Sequence, residues 1–312
     1  MGRPAILFSS HLDDPALWKT AIARAIPELD FRIWPDAGNL DEIEYALVWT
    51  IPDGILTRLR NLHAIFSLGA GVDQILRDPL FPKQIPLFRL VDAGLREQMT
   101  QYAVYGVLHW HRRMGTYREQ QARHEWKMLP AVHPSECTVG VMGLGVFGSD
   151  IAAKLALLGF RVLGWSRTKK EITGVECHAG NARLAQFLSQ SEIFINVLPL
   201  TDETRGVLNA SLFSQLPRGS ALVHLGRGGH LNTADLLSAL ESGSLGWAML
   251  DVFPKEPLDA RSPLWDHPRV FVTPHIAAQA VGSSAEDHIV AKIQDFRRGV
   301  QPAGRVDPSI GY

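Results

Sequence analysis

Only two cysteines, Cys137 and Cys177, occur in 312 residues. They follow no metal-ligand or redox spacing, and a lone disulfide is unusual in a chain of this size. The expectation is a reducing compartment, the cytoplasm. Excess charge is also missing: 31 Lys and Arg stand against 32 Asp and Glu, a net of -1, with no basic run. Neither a nucleic acid nor an anionic membrane is therefore expected as a partner. No apolar run is long enough to span a bilayer. The opening stretch meets Asp13 and Asp14 too soon for a secretory signal and reads as a first strand. The aromatic residues are not interleaved with Lys and Arg as a single-strand nucleic-acid groove requires. His109 and His111, two apart on an expected helix, face different directions, and no metal is expected. Internal repeats, low-complexity segments and disordered linkers are absent too.

What the chain has is alternation. Short β-rich runs at Ala5–Ser9, Phe31–Trp34, Tyr45–Trp49, His63–Leu68 and Leu87–Leu90 are separated by amphipathic stretches such as Pro15–Ala25, with Pro or Gly at the turns. A longer helix, about Glu97 to Arg123, is apolar on too many sides for a surface helix, which makes it a candidate connector between domains. The alternation restarts with Cys137–Met142, Phe160–Trp165, Ile193–Leu198, Ala221–Leu225, Trp247–Val252 and Val270–Thr273. Helices are expected between these runs, for example over Ser149–Leu158. Another has Thr233 as N-cap, Leu236, Leu237 and Leu240 on one face and Gly243 at its close. A last helix spans roughly Ser283 to Gly299 and is free to return to the first domain. The pattern predicts an α/β fold of two Rossmann-like domains with parallel, helix-covered sheets. The length agrees with two domains.

The sharpest chemical signature is Gly143-Leu144-Gly145-Val146-Phe147-Gly148. A strand runs into it, a helix runs out, and a second strand follows at βαβ spacing, which is the context a dinucleotide fingerprint requires. Gly143 allows the tight turn, Gly145 the approach of a pyrophosphate to the backbone, and Gly148 close helix–strand packing. NAD enzymes end the second strand with a carboxylate for the ribose hydroxyls. Here it ends Trp165-Ser166-Arg167-Thr168-Lys169. Arg167 can grip a 2′-phosphate in a fork, Lys169 adds a point charge, and Ser166 and Thr168 can donate hydrogen bonds. The cofactor expected is NADP, with NADPH preferred over NADH; a solvated basic loop is the alternative.

Three later strands each end near one polar residue: Arg227, Glu256 and His275. Ligands of open α/β sheets sit at that edge. Carbonyl reduction needs a proton for the developing alkoxide, which a histidine can give near neutral pH. A carboxylate beside it fixes its tautomer, and an arginine can bind a substrate carboxylate and polarise the adjacent carbonyl. Taken singly, Arg227 could bind a main-chain carbonyl, Glu256 could be a loop charge and His275 a helix cap.

Nearly end to end, the chain resembles the D-2-hydroxyacid dehydrogenases. The matching pieces are the Gly143–Gly148 fingerprint, Leu198-Pro199-Leu200-Thr201, Arg227-Gly228, Asp251-Val252-Phe253 with Glu256-Pro257-Leu258, and Thr273-Pro274-His275. The resemblance implies that Arg227 binds and polarises a 2-oxo acid, that His275 is the acid/base and that Glu256 orients it. It adds Leu198, Pro199 and Asp251 to the cofactor site. The loop containing Gly69, Ala70 and Gly71 would hold the substrate carboxylate through backbone N–H groups. Within the family the likeness is to the glyoxylate/hydroxypyruvate reductase branch, which prefers NADPH. It rests on Leu47-Val48-Trp49, Glu97-Gln98-Met99, Trp165-Ser166-Arg167-Thr168 and the terminal Gly311-Tyr312, among others. Trp49 and Met99 resemble walls of a small substrate pocket, with core packing as the alternative. Where many relatives carry Asn three residues before the arginine, this chain has His224, expected to be buried and hydrogen-bonded. The implied layout is a substrate domain of residues 1–100 with 277–312 around a nucleotide domain of residues 101–276. Catalysis would take place in the cleft between them, in a homodimer. The function expected is NADPH-dependent reduction of small 2-oxo acids; the alternatives are a cofactor-sensing corepressor-like protein or a dehydrogenase for bulkier acids.

Overall fold

Strands buried on both faces must be apolar throughout, and most strands here are. The computed structural model describes residues 3–91, 94–279 and 284–311. It divides into two compact units, Met1–Leu95 with Ala280–Tyr312, and Arg96–Gln279.

In the first unit, β1 (Ala5–Ser9), β2 (Asp30–Ile33), β3 (Ile43–Val48), β4 (Ala64–Ser67) and β5 (Leu87–Phe88) form a sheet of order β2-β1-β3-β4-β5. Every pairing is parallel. The last helix, Ser284–Arg297, packs on this sheet: the Phe296 ring lies edge-on to Tyr45, Phe66 and Phe88 at 6.4, 6.5 and 5.8 Å. Arg24–Asp287 and Arg297–Glu28 pair across its ends. Ser283, the expected start of that helix, and Tyr312 lie outside the described residues.

The second unit carries β6 (Thr138–Met142), β7 (Arg161–Ser166), β8 (Val175–Ala179), β9 (Ile193–Asn196), β10 (Ser220–His224), β11 (Leu245–Leu250) and β12 (Val270–Val272). The order is β12-β11-β10-β9-β6-β7-β8, again all parallel. The chain runs outward from β6 to β8, then returns to β9 and runs the other way. The carboxyl ends of β6 and β9 therefore flank a topological switch point, where such sheets bind ligands.

The structure corrects the sequence reading at three places. The expected helix Glu97–Arg123 is two helices, Leu95–His111 and Met114–Ala122, broken where Arg113 turns left-handed at φ 54°. The N-cap of the helix Thr233–Glu241 is Asn232, whose side chain accepts from the N–H groups of Ala234 and Asp235; Thr233 is the first helical residue. Strand β8 is absent from the sequence reading. It is an edge strand, mostly half-exposed, and Val-Glu-Cys-His-Ala carries no continuous apolar run.

Candidate active site

At the carboxyl end of β6 the chain turns through Gly143, at φ +107°, into the helix Val146–Leu157. A side chain at Gly143 would press on the backbone of Val197 and Leu198 at 3.1 Å, so the glycine loop lies against the segment leaving β9. Gly148 has no room either: a Cβ would sit 1.7 Å from the Gly143 carbonyl oxygen. Gly145 differs. It is the N-cap of the helix, its backbone is extended (φ -77°, ψ -162°), and a Cβ there would meet nothing within 4 Å. Nothing among the described residues excludes a side chain at Gly145. The open space in front of its backbone, at a helix N-terminus, suits a pyrophosphate, so the residues present fit a dinucleotide. Val146 is exposed there and Leu144 is buried beneath.

The loop after β7 starts with Ser166, buried, whose hydroxyl donates to the Thr168 carbonyl at 2.7 Å. This bond folds the turn from which Arg167, Thr168 and Lys169 project into solvent. Lys169 lies 3.7 Å from Glu171, both well exposed. Such a pair contributes little and yields easily to an anion.

Arg227 and Glu256 stand on neighbouring turns. Gly228 lets those turns touch: a Cβ there would lie 1.8 Å from the Phe253 carbonyl oxygen. Glu256 uses both carboxylate oxygens. Oε1 accepts the Phe253 N–H at 2.8 Å and Oε2 meets His275 Nδ1 at 2.8 Å. Burial pushes the Glu256 carboxyl up, but the bonds from His275 and Phe253, with the Arg227 charge, hold it below the usual carboxylate range. Since a carboxylate only accepts, Nδ1 of His275 carries a proton and Nε2 is presented outward. Nε2 makes no hydrogen bond among the described residues.

His275 sits at φ +55°, a conformation unfavourable for a residue with a Cβ. Asp251 holds it there. Its carboxylate accepts from Thr273 Oγ1 at 2.7 Å and from the N–H groups of Ile276 and Ala277 at 2.8 Å each, and its carbonyl accepts the His275 N–H at 2.9 Å. Tyr102 hydrogen-bonds to Thr273 from the helix Leu95–His111. The structure therefore gives Asp251, read from sequence as a cofactor contact, a buried position as the anchor of the histidine turn.

The first unit holds Trp49 and the loop Gly69–Gly71. The Trp49 ring lies against Gly69, where a Cβ would be 2.3 Å from the indole. Ser67, fully buried, shares its one hydroxyl proton between the carbonyls of Gly69 and Gly71, at 3.1 and 3.3 Å, and so shapes the loop through Ala70. Met99 belongs to the second unit, half-buried against its core. Two polar residues at the site were invisible to sequence reasoning, Asn196 and His230. Both are buried, and the only signal was a polar residue ending the apolar run Ile193–Asn196.

The match to known proteins is extensive. A family model for the NAD binding domain of D-isomer specific 2-hydroxyacid dehydrogenases matches residues 104–277. The chain belongs to that family. Among solved structures, a D-isomer specific 2-hydroxyacid dehydrogenase from Xanthobacter autotrophicus Py2, in complex with NADPH and MES, shares 40% identity over 100% of both chains, with a TM-score of 0.93. The NADPH-dependent glyoxylate/hydroxypyruvate reductase of Sinorhizobium meliloti, in complex with NADP and sulfate, shares 37% identity over 99% of this chain and 100% of its own, with a TM-score of 0.90. A probable 2-hydroxyacid dehydrogenase from Rhizobium etli CFN 42, bound to NADP, HEPES and L(+)-tartaric acid, shares 37% over 99% of each chain at a TM-score of 0.92.

Proposed function

We propose that this protein reduces small 2-oxo acids with NADPH, glyoxylate to glycolate and hydroxypyruvate to D-glycerate among them. The observation that carries the reading is the His275–Glu256 pair at 2.8 Å beside Arg227, in the same unit as the open helix N-terminus at Gly145. A nicotinamide cofactor supplies the hydride when bound. His275, with Nδ1 tied to Glu256, gives its Nε2 proton to the oxygen of the carbonyl being reduced. The Glu256 charge stabilises the imidazolium that donates. Arg227 binds the acid and polarises its carbonyl. Arg167, Thr168 and Lys169, with Ser166 shaping their turn, take the 2′-phosphate of NADPH; Leu198 and Pro199 border the cofactor, and Phe147 and Val146 begin the helix that receives its phosphates. The backbone of Gly69, Ala70 and Gly71 takes the substrate carboxylate, with Trp49 and Met99 limiting substrate size.

Absorbance loss of NADPH, with NADH in parallel, against glyoxylate, hydroxypyruvate, pyruvate and a bulkier 2-oxo acid tests this directly. NADPH oxidation with the smallest oxygenated acids is expected, slower with NADH. His275→Ala should lower turnover roughly 10²–10⁴-fold while NADPH binding persists; unchanged turnover removes His275 from its role. A homodimer in the cytoplasm completes the proposal. It is supported by the exposed apolar side chains of Met114, Tyr117, Trp126 and Met128 along one stretch and by two unpaired cysteines. A monomer by light scattering would refute the dimer.

A further inference from the structure

Asn196, His224 and His230 are each 0% exposed and meet one another. Asn196 ends β9, His224 ends β10, and His230 ends the single turn Gly228–His230. Their bonds converge on the main chain of Arg227. The Arg227 N–H lies 3.1 Å from His230 Nδ1, and the Arg227 carbonyl lies 3.1 Å from His224 Nε2. Asn196 Nδ2 lies between the rings, 3.2 Å from His224 Nδ1 and 3.1 Å from His230 Nδ1. His230 Nε2 lies 3.2 Å from the Pro199 carbonyl.

The direction of every bond follows from groups that have no choice. A backbone N–H only donates, so His230 Nδ1 is an acceptor and its proton is on Nε2, donating to Pro199. A backbone carbonyl only accepts, so His224 Nε2 carries the proton. The Asn196 amide nitrogen then donates to both Nδ1 atoms. These directions require two neutral Nε2–H imidazoles, with the lone pair of His230 Nδ1 shared by two donors, and leave the buried Asn196 Oδ1 without a partner among the described residues. A proton added at either Nδ1 would face the Asn196 N–H groups, and on His230 the Arg227 N–H as well. The charged surroundings oppose it too. Burial, the largest cause, pushes His224 down to about 3, and the nearby Arg227 charge acts in the same direction. Asp251, which follows β11, turns its carboxylate away to the 273–277 turn.

We propose that Asn196, His224 and His230 are positioning residues for Arg227, a buried neutral brace that holds both main-chain groups of the arginine and ties its turn to Pro199. The proposal rests on the reading of Arg227 as the residue that binds the 2-oxo acid. A buried hydrogen-bond brace removed from one side shifts a catalytic group rather than deleting it, so the effect falls on the substrate that group holds.

Two measurements test the brace. In the first, His224→Leu, similar in volume and without a donor, is expected to raise KM for glyoxylate about 10- to 100-fold, with the dissociation constant of NADPH within about twofold of wild type. His224→Gln, whose amide N–H can stand where Nε2–H stood, is expected to restore most of the loss. Equal loss in the Leu and Gln variants, or a KM unchanged in both, overturns the brace. The second needs no activity and no variant: ¹⁵N long-range correlation spectra of the whole protein between pH 6 and 8. Two imidazoles are expected to stay neutral with the proton on Nε2. If every histidine titrates or carries its proton on Nδ1, the brace fails. If the two tautomers appear but the wild type turns over no 2-oxo acid, the functional reading fails while the bonding scheme stands.

Discussion

Gly145 and Gly148 are three residues apart at the start of one helix, yet the structure predicts opposite consequences for the same substitution. At Gly148 a Cβ would stand 1.7 Å from the Gly143 carbonyl oxygen, against an ordinary contact of roughly 3.5 Å. The atom it meets is backbone, so the loop or the helix must move by more than 1 Å. Overpacking of that kind costs about 1–3 kcal/mol, sometimes more. In a chain of this size that lowers Tm by roughly 2–5 °C. At Gly145 an added Cβ would meet none of the described residues within 4 Å, and the extended backbone suits any residue. Alanine there gains about 0.4–1 kcal/mol by restricting the unfolded chain. It loses a similar amount because alanine is a poor N-cap. The two offset, and Tm should stay within about 2 °C of wild type. The side chain would instead occupy the space assigned to the pyrophosphate. Gly145→Ala should thus weaken NADPH by at least about tenfold, 1.4 kcal/mol, in a protein that folds normally. Calorimetry for Tm and fluorescence titration for NADPH separate the effects. A Gly145→Ala protein that binds NADPH as wild type does would refute the assignment of that space. A Gly148→Ala protein of unchanged Tm would refute the packing argument.

Other outcomes follow from the same geometry. In Glu256→Gln, the Phe253 N–H should hold the amide oxygen, turning the amide N–H toward His275 Nδ1; the wrong tautomer and the lost charge should lower kcat for reduction roughly 10²–10⁴-fold, read by steady-state assay. Because the Glu256 carboxyl is held below 4.5 in the folded protein, its contribution to stability is present above that pH and lost as pH falls through the lower folded value. His224 obeys the same sign: lowered from 6.5 to about 3 by burial, it favours the folded state fully above pH 6.5. That contribution falls by about 1.4 kcal/mol per pH unit toward pH 3. Urea midpoints at pH 7.5, 6 and 5 should show a steeper acid loss for wild type than for His224→Gln; parallel losses would refute it. Arg167→Glu should raise KM for NADPH about 10- to 100-fold and leave NADH within a few-fold, measured with both cofactors.

The alternating apolar runs were enough to determine the class of fold, because parallel strands covered by helices must be apolar on both faces. The glycine fingerprint could be read because each glycine answers a local demand: a left-handed turn at Gly143, an open backbone at Gly145, close packing at Gly148. Arg227, Glu256 and His275 were found as polar residues after buried strands, together with a family likeness. Strand β8 escaped because an edge strand need not be apolar, and the break at Arg113 escaped because arginine carries no turn signal. Only the tertiary structure decided who holds whom. The Asp251 carboxylate is bound to the turn of His275 by three contacts between residues more than 20 positions apart in the chain. Asn196, His224 and His230 lie on separate elements, and the carboxyl ends of β9 and β10 stand side by side only because the two strands pair in one sheet. Local sequence encodes propensity and period; the hydrogen-bond partners of a buried polar side chain depend on which strand ends are brought side by side, and that is a property of the whole sheet.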